Sequence, residues 1–458
     1  MRASRWLIAA HASIAVLLCQ GVGDPQQALR QAIEWISAGR IADARQLLES
    51  LERSQPENGE VLYRLGVLDL RDGDQTAASR RLERAAALTP GSPLPWLAVA
   101  RVRLETGRRE EALDAAKKAD GLAPGHPAVG RALAMFYAQA EEFAQAAEFE
   151  LRWLRSNPND ASSRLRTMDL LLRAGQAKKA IEVGRQASPV TAELHAALGR
   201  AYRAGGDSAA AVESFQAAIQ SDPAKPEFYG ELAALFLDHR TPEPALAILN
   251  QAAAKFPASQ EILRLQGLAL YALGRNAEAI DVFIRMAKLD PDSEAAFVSM
   301  ETLLPDAGEQ LPEIIGLLRA FCDRRQSAVG LHLLAIAVSL ETPQPAEPEG
   351  LLRKSIGIRA DYWPAYYALH EILFDQGKWK EAAAALEKTV AIHPEHGAAH
   401  FRLAQIYGRL GDRERAASER RKHHEIAERI RVAAEERREK MPRLSYEVAA
   451  PREEPAAP

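Results

Sequence analysis

Three histidines near the C-terminal end are the residues most readily credited with chemistry. The stretch HPEHGAAH carries His393, His396 and His400, with Glu395 beside His396. Imidazole nitrogens are common metal ligands, and histidines four residues apart share a helix face. If Gly397 opens a helix, His396 and His400 sit one turn apart and can share a metal, the basis for a metal-binding or enzymatic reading. Against this, His393 precedes Pro394, and His400 falls where a repeated pattern demands a packing residue. Loop polarity plus a half-buried core histidine is the preferred reading, so no cofactor is assigned. No G-x-S-x-G, Gly-rich phosphate loop, CxxC or HExxH occurs, and the chain reads as non-enzymatic.

The elements that carry these residues follow one template, seen most fully between Ala192 and Pro223. His195, Leu198, Gly199 and Tyr202 recur at i, i+3, i+4 and i+7, on one face of a helix. Ala211, Phe215 and Ala218 form a matching stripe on a second helix. Gly206 suits the positive φ that ends the first helix, and Asp207 suits the cap of the second. Pro223 stops the second helix, because proline biases the preceding residue away from helical geometry. A mid-helix glycine costs ~1 kcal/mol against alanine. Gly199 is therefore expected to serve close contact, pressed against Ala211 of the partner helix.

The template recurs at a fixed period. Pro56, Pro90, Pro124 and Pro158 are evenly spaced, as are Pro223, Pro257 and Pro291. Turn glycines stand at Gly39, Gly73, Gly107, Gly175, Gly274, Gly377 and Gly411. A small residue follows each, at Ala44, Ala78, Ala112, Ala180, Ala279, Ala382 and Ala416. The unit at 226–257 carries Arg240 in place of the glycine but keeps Ala245, and the unit at 161–190 is shortened. Such a period means stacked hairpins, none able to bury its apolar face alone. The expected fold is all-α: an α-solenoid, a right-handed superhelix of about twelve units.

On these residues the sequence resembles the tetratricopeptide repeat (TPR) family. Leu198, Gly199, Tyr202, Ala211, Phe215, Ala218 and Pro223 fall on that family's signature positions; His195 stands where tryptophan is usual, and Trp96 supplies that tryptophan in an earlier unit. The resemblance implies that the first helix of each hairpin lines a concave face that binds protein or peptide. Transferring the helical phase of Glu193, Ala196, Arg200 and Arg203 places Tyr63, Arg101, Arg131, Arg264, Tyr271, Tyr367 and Phe374 there, with Val67, Leu70, Leu97 and Met135. Chaperone-binding members clamp a carboxylate with Lys and Asn at such places, and no such pair occurs here. The arginines suit a partner segment with acidic residues among apolar ones.

Charge and termini set the remaining expectations. A net charge of −4 over 458 residues gives no global attraction to nucleic acid. Residues 1–23 read as an export signal: Arg2 and Arg5 precede an apolar run from Trp6 to Leu18, then small residues. A lipoprotein reading would acylate Cys19 and tether the chain to a membrane, although Leu18 departs from that pattern. The signal type and an Arg-over-Lys bias suggest a bacterial, periplasmic or cell-envelope protein. Once the signal is removed Cys322 is the sole thiol, and it reads as a small core hydrophobe. Organisation is expected as eight units over 24–291, degenerate units over 292–362 with a loop at 341–350, and further units over 363–411. A charged capping helix over 412–440 and a disordered tail over 441–458 follow. His370, at a position for a small residue, is expected to splay its hairpin. The functional expectation is an exported scaffold or assembly factor binding protein segments in its groove. The alternative is a periplasmic or outer-membrane adaptor in a polysaccharide-export or secretion assembly.

Overall fold

The computed structural model describes residues 24–342 and 344–440. The segment 1–23, read as an export signal, and the tail 441–458, read as disordered, lie outside the described residues. The described residues form α-helices and two short 3-10 turns, with no strand. By contact the chain divides into two compact units, between Asp207 and Ser208.

Unit one begins with α1 (Pro25–Ser37), α2 (Ile41–Ser54), α3 (Gly59–Asp72) and α4 (Gln75–Leu88). It continues with α5 (Pro93–Glu105), α6 (Arg109–Leu122), α7 (Pro127–Gln139) and α8 (Phe143–Ser156). It closes with α9 (Ala161–Arg173), α10 (Ala177–Arg185) and α11 (Ala192–Gly205). Unit two holds α12 (Ser208–Ser221), α13 (Pro226–Asp238), α14 (Pro242–Lys255), α15 (Gln260–Ala272) and α16 (Asn276–Leu289). After a short α17 (Ala295–Met300) and the 3-10 turns come α18 (Leu311–Arg324), α19 (Ala328–Glu341) and α20 (Ala346–Ile358). The last hairpins are α21 (Trp363–Asp375) with α22 (Trp379–Ile392), and α23 (Gly397–Arg409) with α24 (Arg413–Lys440).

Two local rules build the hairpins. Each landmark glycine sits at the turn with positive φ, from +71° at Gly175 to +83° at Gly73. Where the glycine is missing, Glu141 and Arg240 are forced into the same region at φ 60° and 56°. Five residues after each turn, Ala44, Ala78, Ala112, Ala180, Ala245, Ala279 and Ala382 are fully buried.

In two other hairpins the mid-helix glycine equivalent to Gly199 meets a bulky residue of the partner helix. A Cβ on Gly66 would lie 2.6 Å from Leu82 Cγ, and one on Gly267 would lie 2.3 Å from Phe283 Cε1. In these hairpins the glycine therefore makes room for the large residue of the partner helix rather than for its alanine. The glycine and the bulky side chain form a knob and a hole.

The shortened unit is closed by a buried cation. α10 has only nine residues. Arg164 on α9 is 5% exposed and donates to the Val183 carbonyl at 2.6 Å and the Pro158 carbonyl at 2.5 Å. Its guanidinium satisfies an orphan carbonyl at the end of α10 and complements that helix's dipole. Burial lowers the Arg164 pKa from its ordinary range.

Three further expectations need correction. The stretch 341–350 is not wholly loop: α20 begins at Ala346 and contains Pro348 in its first turn, where amides have no intrahelical acceptor to lose. His370 does not splay its hairpin, because Leu369, Leu373, Ala382 and Leu386 share one core cluster. Its ring folds back on its own helix, Nδ1 against the Tyr367 carbonyl. The helix expected to cap the stack over 412–440 does so only along its first half: Ala416 and Ile426 are buried, but Ile430 is 62% exposed. α24 has 28 residues against 13 in α23, so it outruns the helix it packs on.

Two tests follow from this packing. Gly267→Ala gains up to ~1 kcal/mol of helix propensity but pushes a methyl into the fully buried Phe283 ring. Overpacking typically costs ~1–3 kcal/mol, so urea denaturation should show net destabilisation, and equal or greater stability would contradict the knob-and-hole contact. The second test is acid sensitivity in unit two. Burial holds both His332 and His370 at about 4, below the ordinary 6.5. A depressed histidine favours the neutral folded state, so its stabilisation is complete above about pH 6.5 and is lost as pH falls toward 4. His370→Leu should flatten part of that slope in denaturation followed by circular dichroism, and an unchanged slope would sink the assignment.

Candidate functional site

One groove gathers Tyr63, Val67, Leu70, Leu97, Arg101 and Met135 of the surface expected to bind. It crosses the first helices of three successive hairpins in unit one and has a volume of about 870 Å³. α3 contributes Tyr63, Val67, Leu70 and Arg71; α5 contributes Leu94, Leu97, Ala98 and Arg101; α7 contributes Ala132, Met135, Phe136 and Gln139. Each set spans i to i+7 or i+8, so each helix offers one face. Met135 is 74% exposed, with Leu94 at 42% and Val67 at 39%. Large apolar side chains thus converge in one hollow.

The groove helices are held from behind by charge. Asp69, two residues from Val67 and so on the opposite side of α3, is 3% exposed. It accepts from Arg45 Nη1 on α2 at 2.7 Å and from Arg81 Nη1 on α4 at 2.8 Å. Arg81 also forks onto Glu52, with bonds of 3.0 and 2.8 Å, while Arg45 reaches Asp72 at 2.7 Å. The bonds to Glu52 and Asp69 push the Arg81 guanidinium pKa up against the opposing effect of burial. This network joins α2, α3 and α4, and sequence reading missed it. An aspartate among otherwise apolar core positions of α3 was the available signal.

The structure separates the other expected groove residues. Arg101 lines the groove and is bonded to Glu105 Oε1 at 2.9 Å on its own helix. Arg131, the periodic equivalent of Leu97, is absent from the groove lining, and its guanidinium stacks over Trp153 of α8 at 4.7 Å. Arg200 and Arg203 are exposed on α11. In unit two, Arg264 forks onto Glu261 with bonds of 2.9 and 2.7 Å, and Tyr271 is exposed on the same helix. Phe374 packs edge-on against Trp379 at 4.7 Å beneath the Arg409 guanidinium. Tyr367 lies between His370 and His396, 4.6 Å from each ring.

The histidine cluster is spent on structure. Gly397 does open α23, but His396 is its cap, with Nδ1 accepting from the Ala399 amide at 3.0 Å. His400 is buried, with Nδ1 2.5 Å from Glu419 Oε2 and Nε2 2.8 Å from the Pro394 carbonyl. A carbonyl only accepts, so Nε2 carries a proton, and Nδ1 makes a hydrogen bond with the carboxylate. Hydrogen bonds from Lys422 and His400 keep the Glu419 carboxyl low against the larger effect of burial. His393 rests on Trp363, 5.0 Å between rings. Among the described residues no group of three or more His, Cys, Asp or Glu is arranged to hold a metal ion. Cys322 is half-buried, and burial pushes its thiol up to about 11.

Comparison with known proteins follows the same architecture. One family model described as tetratricopeptide repeat matches residues 36–102 and 373–419. A second with that description matches 169–226, 196–255 and 231–294, and the two together span more than half of the chain. Cellulose synthase operon protein C of Pseudomonas fluorescens (strain SBW25) is 25% identical over 235 residues, 47% of this chain and 18% of that protein. The chain thus spans under a fifth of that relative's length. Among solved structures, yeast Tom70 is 14% identical with a TM-score of 0.41, covering 84% of this chain and 96% of that one. MamA from Desulfovibrio magneticus RS-1 is 21% identical with a TM-score of 0.30, covering 44% and 95%. With tetratricopeptide repeat models together matching more than half of its length, the chain belongs to the tetratricopeptide repeat family.

Proposed function

We propose that this protein is an interaction scaffold that holds a protein segment in the groove across α3, α5 and α7 and serves assembly in the bacterial cell envelope. The observation that carries the binding role is the convergence of Val67, Leu94 and Met135 in one hollow. Exposed apolar side chains cost little stability singly, but a contiguous set favours being covered by a partner. Residues 1–23 support the envelope setting through their basic start and apolar run. A place in a polysaccharide-export assembly is the second reading, supported by the likeness to a protein named for a cellulose synthase operon. The partner is protein rather than nucleic acid, since basic residues are matched by acidic ones throughout.

Met135→Glu tests the groove. Met135 is so exposed that melting should shift within ~0.5 kcal/mol. Proteins cross-linked to the wild-type chain in envelope extracts should be lost from the variant, with affinity down about tenfold or more. Retention of the same partners would end the assignment. The envelope setting is tested separately. Chain recovered from the envelope fraction should begin near Asp24, and full-length chain confined to the cytosol would overturn it. Release from membranes by Cys19→Ser would favour the acylated form.

A further inference from the structure

The polar groups of the α3–α5–α7 groove are few and unevenly placed, and this restricts what shape of segment it can accept. Tyr63, Arg71, Arg101 and Gln139 are the lining residues with side-chain hydrogen-bonding groups. A guanidinium only donates, so the acceptors on offer to a partner's backbone amides are the Tyr63 hydroxyl and the Gln139 amide oxygen. An extended segment of about five residues would bring about ten backbone polar groups into the hollow. Each one buried without a partner costs roughly 1–3 kcal/mol. A helix carries no such penalty, since its backbone groups bond one another and only apolar side chains enter the groove.

The charges sit at one end. Arg71, Arg101 and Gln139 lie toward the C-terminal ends of α3, α5 and α7, while Tyr63, Leu94 and Ala132 lie toward the other. Arg101 is 61% exposed in its pair with Glu105, and an exposed pair of this kind is worth only ~0.2–1 kcal/mol, so it exchanges readily for a better carboxylate. Resting on the groove reading given above, we infer that the occupant is an amphipathic α-helix of a partner protein. Its apolar stripe fills the hollow, and Asp or Glu residues along one end of that stripe meet Arg71 and Arg101.

A displayed library of random peptides about 15 residues long, roughly four helical turns, selected on the full chain, tests this without a known partner. Enriched peptides should carry apolar residues at i, i+3 or i+4, and i+7, with acidic residues at one end. They should gain helical circular dichroism on binding. Arg71→Glu with Arg101→Glu should weaken them about tenfold while the melting curve stays in place. Alternating apolar spacing, or binding without helix gain, would overturn the helical occupant and leave the groove reading intact. Binding unchanged in the double arginine variant would overturn the carboxylate contact. Peptides that bind Met135→Glu as well as wild type, or a selection yielding no binder, would overturn the groove itself.

Discussion

The stack rests on a contact that tolerates almost no side chain. Near the start of the second helix of each regular hairpin, from Ala44 to Ala382, an alanine is fully buried. On the facing helix a glycine admits a bulky neighbour, as Gly66 admits Leu82 and Gly267 admits Phe283. These small-against-large contacts make one hairpin useful only beside another, because the apolar face of each is completed by its neighbour. The opposite faces of the first helices are not consumed by this packing. They are what remains for binding, and in unit one they form the groove.

Electrostatics divides in the same way between structure and surface. Asp69 is buried and met by two arginines from the helices on either side, so α3 cannot shift without stranding a charge. Arg164 reaches the same end with carbonyls alone, closing the short α10. The groove arginine Arg101, by contrast, is paired only along its own exposed helix surface. A cation so held is screened by water and available to a partner.

The histidines show how similar residue types take different work. His396 caps a helix, His400 makes a buried hydrogen bond with Glu419, and His370 is packed neutral in the core. His400 spends both ring nitrogens locally, and its bond to Glu419 ties α23 to α24. The same tie closes the end of unit two, where Ala416 and Ile426 cover the last core layer.

What was legible in the sequence was everything repeated. Turn glycines, buried alanines and stop prolines recur, and a repeated unit imposes the same backbone wherever it stands, even at Glu141 and Arg240 where the glycine is absent. The all-α solenoid followed, and half of the groove's lining, Tyr63, Val67, Leu70, Leu97, Arg101 and Met135, was reached by helical phase. What only the tertiary structure decided was where individual side chains end. Arg131 shares the phase of Leu97 yet stacks on Trp153, and Gly66 and Gly267 face the bulky side chains of Leu82 and Phe283. The ionic ties of Asp69, Arg164 and His400 likewise join residues from 6 to 24 positions apart. Periodicity fixes the direction in which a Cβ leaves its helix. The end of a long or charged side chain is set by the nearest ring, carbonyl or carboxylate, which the fold alone brings within reach.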